Sequence, residues 1–106
     1  EHFRDFTYIG DVNKIISKLL FKKFKGHEVF NVCSNDPIKI TKVIEYINKI
    51  TKKSCKIIRI KKQLADLIKT HGNNYKINSF LNFRKYANFK ESVEKVVNWY
   101  KVYYKL

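Results

Sequence analysis

Val12, Ile15, Ile16, Leu19 and Leu20 recur at the spacing that gathers side chains on one face of an α-helix. A helix of this kind gains its stability from what its apolar face packs on, so the stripe demands a second body. The flanking segments have a different period. Residues 4–9 are rich in aromatic and β-branched side chains and end at Gly10, which predicts a short strand and a turn. Asp11 suits the start of the helix, and Gly26, after a lysine-rich last turn, suits its stop.

Residues 29–33 form a second candidate strand, ended by the turn formers Ser34-Asn35-Asp36-Pro37. Ile40, Val43, Ile44 and Ile47 then give another helical stripe, and the polar Thr51-Lys52-Lys53-Ser54 breaks it before a third candidate strand at residues 56–60. Taken alone, this is a strand-helix-strand unit. If its strands were parallel neighbours, Cys33 and Cys55 would stand several residues apart along the sheet. At about 3.3 Å per residue that exceeds the roughly 7 Å over which Cα atoms can be bridged, so a disulfide is disfavoured. Residues 61–72 lack a period and read as an extended loop long enough to touch a ligand. Asn73 or Asn74 can cap a short helix carrying Ile77, Phe80 and Leu81. Asn88 with Glu91 resembles a capping box opening a last helix whose inward stripe is Phe89, Val93, Val96, Val97 and Tyr100.

With 106 residues the chain has room for one core and one domain, residues 1–106. Hydrophobic residues at 44% and aromatics at 15% are enough to build that core and argue against disorder. The net charge of +14 attracts polyanions, but it is carried almost wholly by lysine, with only Arg4, Arg59 and Arg84 able to fork onto a phosphate. The excess is read first as a solvated face and second as a polyanion-binding surface. Cys33 and Cys55 have no CxxC spacing and read as reduced thiols. No apolar run approaches the roughly 18 residues of a membrane span, and a cytoplasmic address fits.

Equipment for chemistry is sparse. Gly10, Gly26 and Gly72 are isolated, so neither GxGxxG nor a P-loop can be written and the chain has no dinucleotide cradle of its own. His2, His27 and His71 lie far apart without a neighbouring second ligand, and read as surface or packing residues with no metal site. Tyr86 and Lys90 have the Tyr-x-x-x-Lys spacing of a proton-carrier pair, but they straddle the cap at Asn88. In so lysine-rich a chain one such spacing is expected by chance.

Several blocks of the chain do spell a pattern. Arg4-Asp5-Phe6-Thr7-Tyr8-Ile9-Gly10-Asp11 resembles the RDFTYIxD signature of nucleotide-sugar epimerases of the extended short-chain dehydrogenase/reductase family. Val29-Phe30-Asn31-Val32 is similar to that family's VYNIG strand and Asn35-Asp36-Pro37-Ile38 to its SxPV turn. Gln63-Leu64-Ala65-Asp66-Leu67 resembles QPGDV, and Lys69-Thr70-His71-Gly72-Asn73 resembles KTYAD. Lys76-Ile77, Phe83, Phe89-Lys90-Glu91-Ser92-Val93 and Val97-Asn98-Trp99-Tyr100 look like the closing segment. The blocks fall in the family's order over nearly the whole chain.

The resemblance implies an α/β fold class, as a helix-rich fragment with short strands. It corresponds to the C-terminal substrate-binding portion of an NAD-dependent epimerase or dehydratase acting on a UDP-sugar, without most of the Rossmann domain. It implies that Arg4 contacts the substrate diphosphate, that Asp66 hydrogen-bonds the nucleotide ribose and that Gln63 lies on the diphosphate side. NAD would belong to the full-length parent, with no cofactor held by this fragment and no catalytic residue within it. Departures from the pattern are Gly10 for an acidic residue, Cys33-Ser34 for a glycine-containing pair, Leu64-Ala65 for Pro-Gly, Arg84-Lys85 without the family's proline, and Lys39 for a capping Ser or Thr. In the family the opening strand and helix pack against the cofactor domain. The face of Val12, Ile15, Ile16, Leu19 and Leu20 is therefore expected to lack its usual cover, which favours self-association, a homodimer included, or a rearranged packing. The alternatives are a small basic polyanion-binding module and a self-association module. Nucleic acid is not the expected partner, nor is a membrane.

Overall fold

The computed structural model describes residues 2–61 and 63–106; Lys62, inside the expected loop, lies outside the described residues. Its elements in chain order are β1 (Phe3–Arg4), α1 (Ile9–Leu20), β2 (Ile38–Lys39), α2 (Ile40–Thr51), α3 (Tyr75–Leu81) and α4 (Phe89–Tyr103). β1 and β2 pair antiparallel with Phe3 opposite Lys39 and Arg4 opposite Ile38. On its other side Phe3 forms a parallel bridge to Lys69, donating its N–H to Ile68 O at 2.9 Å and accepting from Thr70 N at 3.2 Å. Two residues of β1 thus hold three distant segments together.

The helices arise where the apolar stripes predict them, and their ends follow local chemistry. Tyr8 stands at the start of α1 in extended conformation, and its carbonyl accepts from Asp11 N at 3.0 Å and Val12 N at 3.3 Å. Before α2, Lys39 supplies no side-chain cap; the N–H of Ile40 instead finds His2 O at 3.0 Å, so the sheet itself caps the helix. Of the two candidate caps for α3, Asn74 stands at the cap position without a side-chain cap bond, and Asn73, one residue earlier, accepts through Oδ1 from Tyr75 N at 2.9 Å. Asn74 is buried and donates from Nδ2 to Cys33 O at 2.9 Å. Asn88 caps α4 through bonds from Lys90 N and Glu91 N.

α1 packs on α3 around Ile15, Ile77, Leu81 and Phe83, with Leu19, Phe30, Val32, Phe80 and Tyr86 against them. α2 packs on α4, and the Phe89 ring of α4 meets Phe6, between β1 and α1, and Tyr46 of α2 at centroid separations of 5.7 and 5.9 Å. The α1 stripe is therefore divided. Ile15 is fully covered, whereas Ile16 is 49% and Leu20 77% exposed, so only half of that face lacks cover. In α4, Phe89, Val93 and Val97 are half-buried, but Val96 and Tyr100 belong to the exposed side. The radius of gyration is 16.8 Å, against about 13 Å for a compact chain of this length, consistent with a flat body of extents 51 × 37 × 21 Å.

The strand-helix-strand unit does not form. Of residues 4–9 only Arg4 is in a strand, and α1 already starts at Ile9. Residues 29–33 run extended without a ladder and are held by side chains instead, through Lys76 Nζ on Val29 O at 2.9 Å, Asn74 on Cys33, and Phe30 against Phe80. Residues 56–60 are exposed irregular chain, with Ile58 74% and Ile60 79% exposed. β-forming composition expresses itself only beside a partner strand, and among the described residues these runs have none. α1 also ends at Leu20 instead of reaching Gly26, which sits in a bend with φ +80°.

Cys33 and Cys55 are both free thiols, the first buried and the second exposed. Burial pushes the Cys33 thiol up, and the nearby Asp5 charge adds to it against one opposing backbone hydrogen bond. The thiolate is the reactive form, so the native chain is expected to take up one maleimide rapidly, at Cys55, and a second only on unfolding. Mass spectrometry of the labelled peptides checks the assignment; equal rates at both positions would contradict the burial of Cys33.

Candidate functional site

The site is built on β1. Residues i and i+2 of an extended segment project to one face, so His2 and Arg4 point together toward the loop that follows residue 62. There Arg4 Nη2 meets Asp66 Oδ1 at 2.6 Å, closing a contact between residues 62 positions apart. Arg4 Nη1 donates to Phe3 O at 2.8 Å and reaches Ile68 O at 3.5 Å, which fixes the plane of the guanidinium. His2 Nε2 lies 3.2 Å from Asp66 Oδ2. The Arg4 side chain is 26% and that of Asp66 41% exposed, so the pair sits at a surface open to a ligand. Gln63 is exposed and its carbonyl accepts from Asp66 N at 3.1 Å, closing the turn that presents Asp66. Leu64-Ala65 form the body of that turn, so replacement of a Pro-Gly pair has not prevented it.

Asp5, next to Arg4, points the other way and organises the loops behind the site. Its Oδ1 accepts from Ser34 Oγ at 2.6 Å and Asp36 N at 3.3 Å, and its Oδ2 from Gly72 N at 2.9 Å and Asn35 N at 3.2 Å. Burial acts to raise the Asp5 carboxyl, but the Ser34 hydroxyl and the three backbone N–H groups outweigh it and hold the group below its ordinary range. Gly72 is required at this junction: a Cβ there would collide with Cys33 Sγ and lie 2.7 Å from Cys33 Cβ. The sequence reading gave no role to Asp5. The available signal was a carboxylate set among the aromatic and β-branched residues of a would-be strand.

Asp11 is 1% exposed and works in the same manner, with Oδ2 accepting from Ala87 N at 2.7 Å and Oδ1 lying 3.6 Å from Lys14 Nζ. It lines, with Ile9, Val43, Ile47, Phe89 and Val97, a mainly apolar cleft of about 620 Å³ between the start of α1 and the α2–α4 pair. Neither Arg4 nor Asp66 lines this cleft, so the charged pair and the apolar hollow are separate features.

No family model matches the chain. Over 97 residues it is 31% identical to an uncharacterized protein of Methanocaldococcus jannaschii, covering 92% of this chain and 29% of that protein. It is 25% identical over 119 residues to Protein CapI of Staphylococcus aureus, covering 96% and 36% of the two chains. With the UDP-glucuronate 4-epimerase of Thermodesulfobacterium geofontis it shares 29% identity over 99 residues, covering 92% and 30%. Among solved structures it superposes on MoeE5, in complex with UDP-glucuronic acid and NAD, with a TM-score of 0.88 over 96% of this chain and 34% of that one. The fold is that of part of MoeE5. At 18% identity this likeness speaks to the fold alone. The chain spans about a third of the length of the curated relatives it matches.

The structure thus brings Arg4 and Asp66 into contact and places Gln63 at the foot of the same turn. It adds His2, for which the sequence alone predicts a surface or packing role. Tyr86 is engaged in the packing of the fold. Its hydroxyl donates to Asn78 Oδ1 at 2.7 Å and its ring packs on Phe83, while burial first, with the Cys33 and Asp11 charges, pushes its phenol up against its hydrogen bonds with Asn74 and Asn78. His71 Nε2 pairs with Asn35 Oδ1 at 2.7 Å, and among the described residues no cluster of His, Cys, Asp or Glu could hold a metal. Trp99 and Tyr103 stack at 5.3 Å on the exposed side of α4, but Lys95, one turn earlier, lies over the Tyr8 ring.

Proposed function

We propose that this chain is the C-terminal, nucleotide-sugar-binding portion of an NAD-dependent epimerase or dehydratase of the extended short-chain dehydrogenase/reductase type, acting on a UDP-sugar. Residues 1–106 form one substrate-binding unit in this reading. The observation that carries it is the Arg4–Asp66 pair: two residues named by separate motif blocks, 62 positions apart, meet at 2.6 Å on an open surface. Likeness to a UDP-glucuronate 4-epimerase and to the fold of MoeE5 supports the same class.

The division of labour follows from charge. A guanidinium has five N–H donors, and its bond to Asp66 leaves others for the oxygens of a diphosphate. An ionised carboxylate only accepts, so Asp66 suits the ribose hydroxyls and repels the phosphates. Gln63, whose carbonyl closes the turn, is assigned to the diphosphate side by its motif block. The chain thereby orients the substrate by its nucleotide handle, while hydride transfer belongs to NAD and residues of a cofactor domain. Exposed Ile16, Leu20 and Phe21 with the apolar cleft form the surface that such a domain, or a second copy, would cover. The enzyme works in the cytoplasm in this reading.

Titration of the chain with uridine diphosphate, followed by backbone NMR, tests the assignment against inorganic pyrophosphate as a control. Shifts are expected at residues 2–5 and 63–70, weaker with pyrophosphate, and Arg4→Met is expected to weaken binding about tenfold, the loss of one charge-assisted contact. Equal shifts from pyrophosphate spread over the lysine-bearing helices, with steep salt dependence, would replace this reading with the polyanion one.

A further inference from the structure

No motif points to His2, yet its placement is specific. The carboxylate of Asp66 is divided between two partners, Oδ1 at 2.6 Å from Arg4 Nη2 and Oδ2 at 3.2 Å from His2 Nε2. His2 Nε2 is closed to solvent and is not aligned for a full hydrogen bond. The Asp66 side chain, by contrast, keeps 41% of its surface exposed. The imidazole therefore backs the carboxylate from the protein side, leaving the outer side of Asp66 open. Lys39 and Lys69 are both paired in register with Phe3 and so project from the opposite face. Among the described residues, Arg4, His2 and Asp66 are the charged and titratable groups that meet on this one.

We propose that His2 is a positioning residue for Asp66, holding the carboxylate so that Oδ2 accepts a hydrogen bond from a ribose hydroxyl of a bound nucleoside diphosphate. The inference rests on the nucleotide reading of Arg4 and Asp66. The terminal torsion of an aspartate is broad and roughly two-fold, so a carboxylate held by Arg4 alone can rotate and exchange its oxygens. A second contact on Oδ2 restrains that rotation and sets the direction of the remaining lone pair. Because Nε2 is already buried against Asp66, the ligand meets the carboxylate and not the ring.

The test compares uridine diphosphate with its 2′,3′-dideoxy counterpart, titrated into the chain and read by NMR on the backbone and the His2 ring. The chain is expected to prefer the ribose form by roughly tenfold, the value of a hydrogen bond to a charged group. His2→Ala should bring the two affinities close together by weakening the ribose form alone, and His2→Gln, which keeps a donor, should restore most of the preference. A wild-type chain indifferent to the ribose hydroxyls would overturn both the nucleotide role of Asp66 and this inference. A preference lost in Asp66→Ala but intact in His2→Ala would overturn the inference alone. Failure of His2→Gln to recover more than His2→Ala would do the same.

Discussion

Asp5→Ala should cost the chain about 3–4 kcal/mol of stability, a large share of the roughly 5–15 kcal/mol available to a domain. The ionised carboxylate accepts four hydrogen bonds, from the Ser34 hydroxyl and from the N–H groups of Asn35, Asp36 and Gly72. Bonds to a charged group are worth more than neutral ones, but four on one side chain do not add, which bounds the estimate. Truncation also frees the junction between residues 33–36 and residue 72, on which the approach to the site depends. Asp5→Asn is expected to lose most of the same energy, because its amide turns donors toward donors.

The same group gives the chain an acid limb. Its folded pKa is lowered, so the unfolded chain binds the extra proton first. The contribution is fully present above about pH 3.9, the unfolded value, and is lost as the pH falls through the lower folded value. Urea titrations across that window should show a falling midpoint in the wild type and a flatter profile in Asp5→Ala. A midpoint unchanged at neutral pH would exclude the carboxylate as the staple of these loops.

Ile77→Ala should be comparably damaging, at about 2–5 kcal/mol, with Ile77→Val costing about 0.5–1.5 kcal/mol. Ile77 and Ile15 are each 0% exposed, and with Leu81 and Phe83 they make up the buried cluster on which α1 and α3 meet. The cluster is small, and the layer around it, Leu19, Phe30, Val32, Phe80 and Tyr86, is itself only partly buried. Leu20→Ala supplies the contrast, since Leu20 is 77% exposed and its loss should change stability by less than about 0.5 kcal/mol. Thermal or urea unfolding of the three variants decides it; a Leu20→Ala cost equal to that of Ile77→Ala would mean that the α1 face is covered in solution.

The helices were legible because their evidence is local. The 3.6-residue period of Val12, Ile15 and Leu19, or of Phe89, Val93 and Val97, lies within one element, and Asn88 caps α4 through N–H groups two and three residues away. The three strand expectations failed, apart from Arg4, for the complementary reason. A strand needs a neighbour as well as a composition, and residues 29–33 and 56–60 have none among the described residues. Arg4, Gln63 and Asp66 could be named from motif spelling. That Arg4 and Asp66 touch could not, because the contact depends on Phe3 bridging to Lys69 and drawing the loop alongside β1.

What the sequence by itself determined is the set of short-range facts: where the helices lie, how Asn88 begins the last of them, the lack of any phosphate-cradling glycine loop, and the motif blocks that single out Arg4 and Asp66. Only the tertiary structure decided that β1 shrinks to Phe3–Arg4, that the α1 stripe is half covered, that Asp5 is a staple and that His2 stands behind Asp66. Those outcomes turn on partners 29 to 67 residues away, as in the bonds of Asp5 to Ser34 and Gly72. A hydrogen bond or an ion pair at that separation leaves no period in the chain, because its energy depends on distance and burial, which exist only once the segments have been brought together.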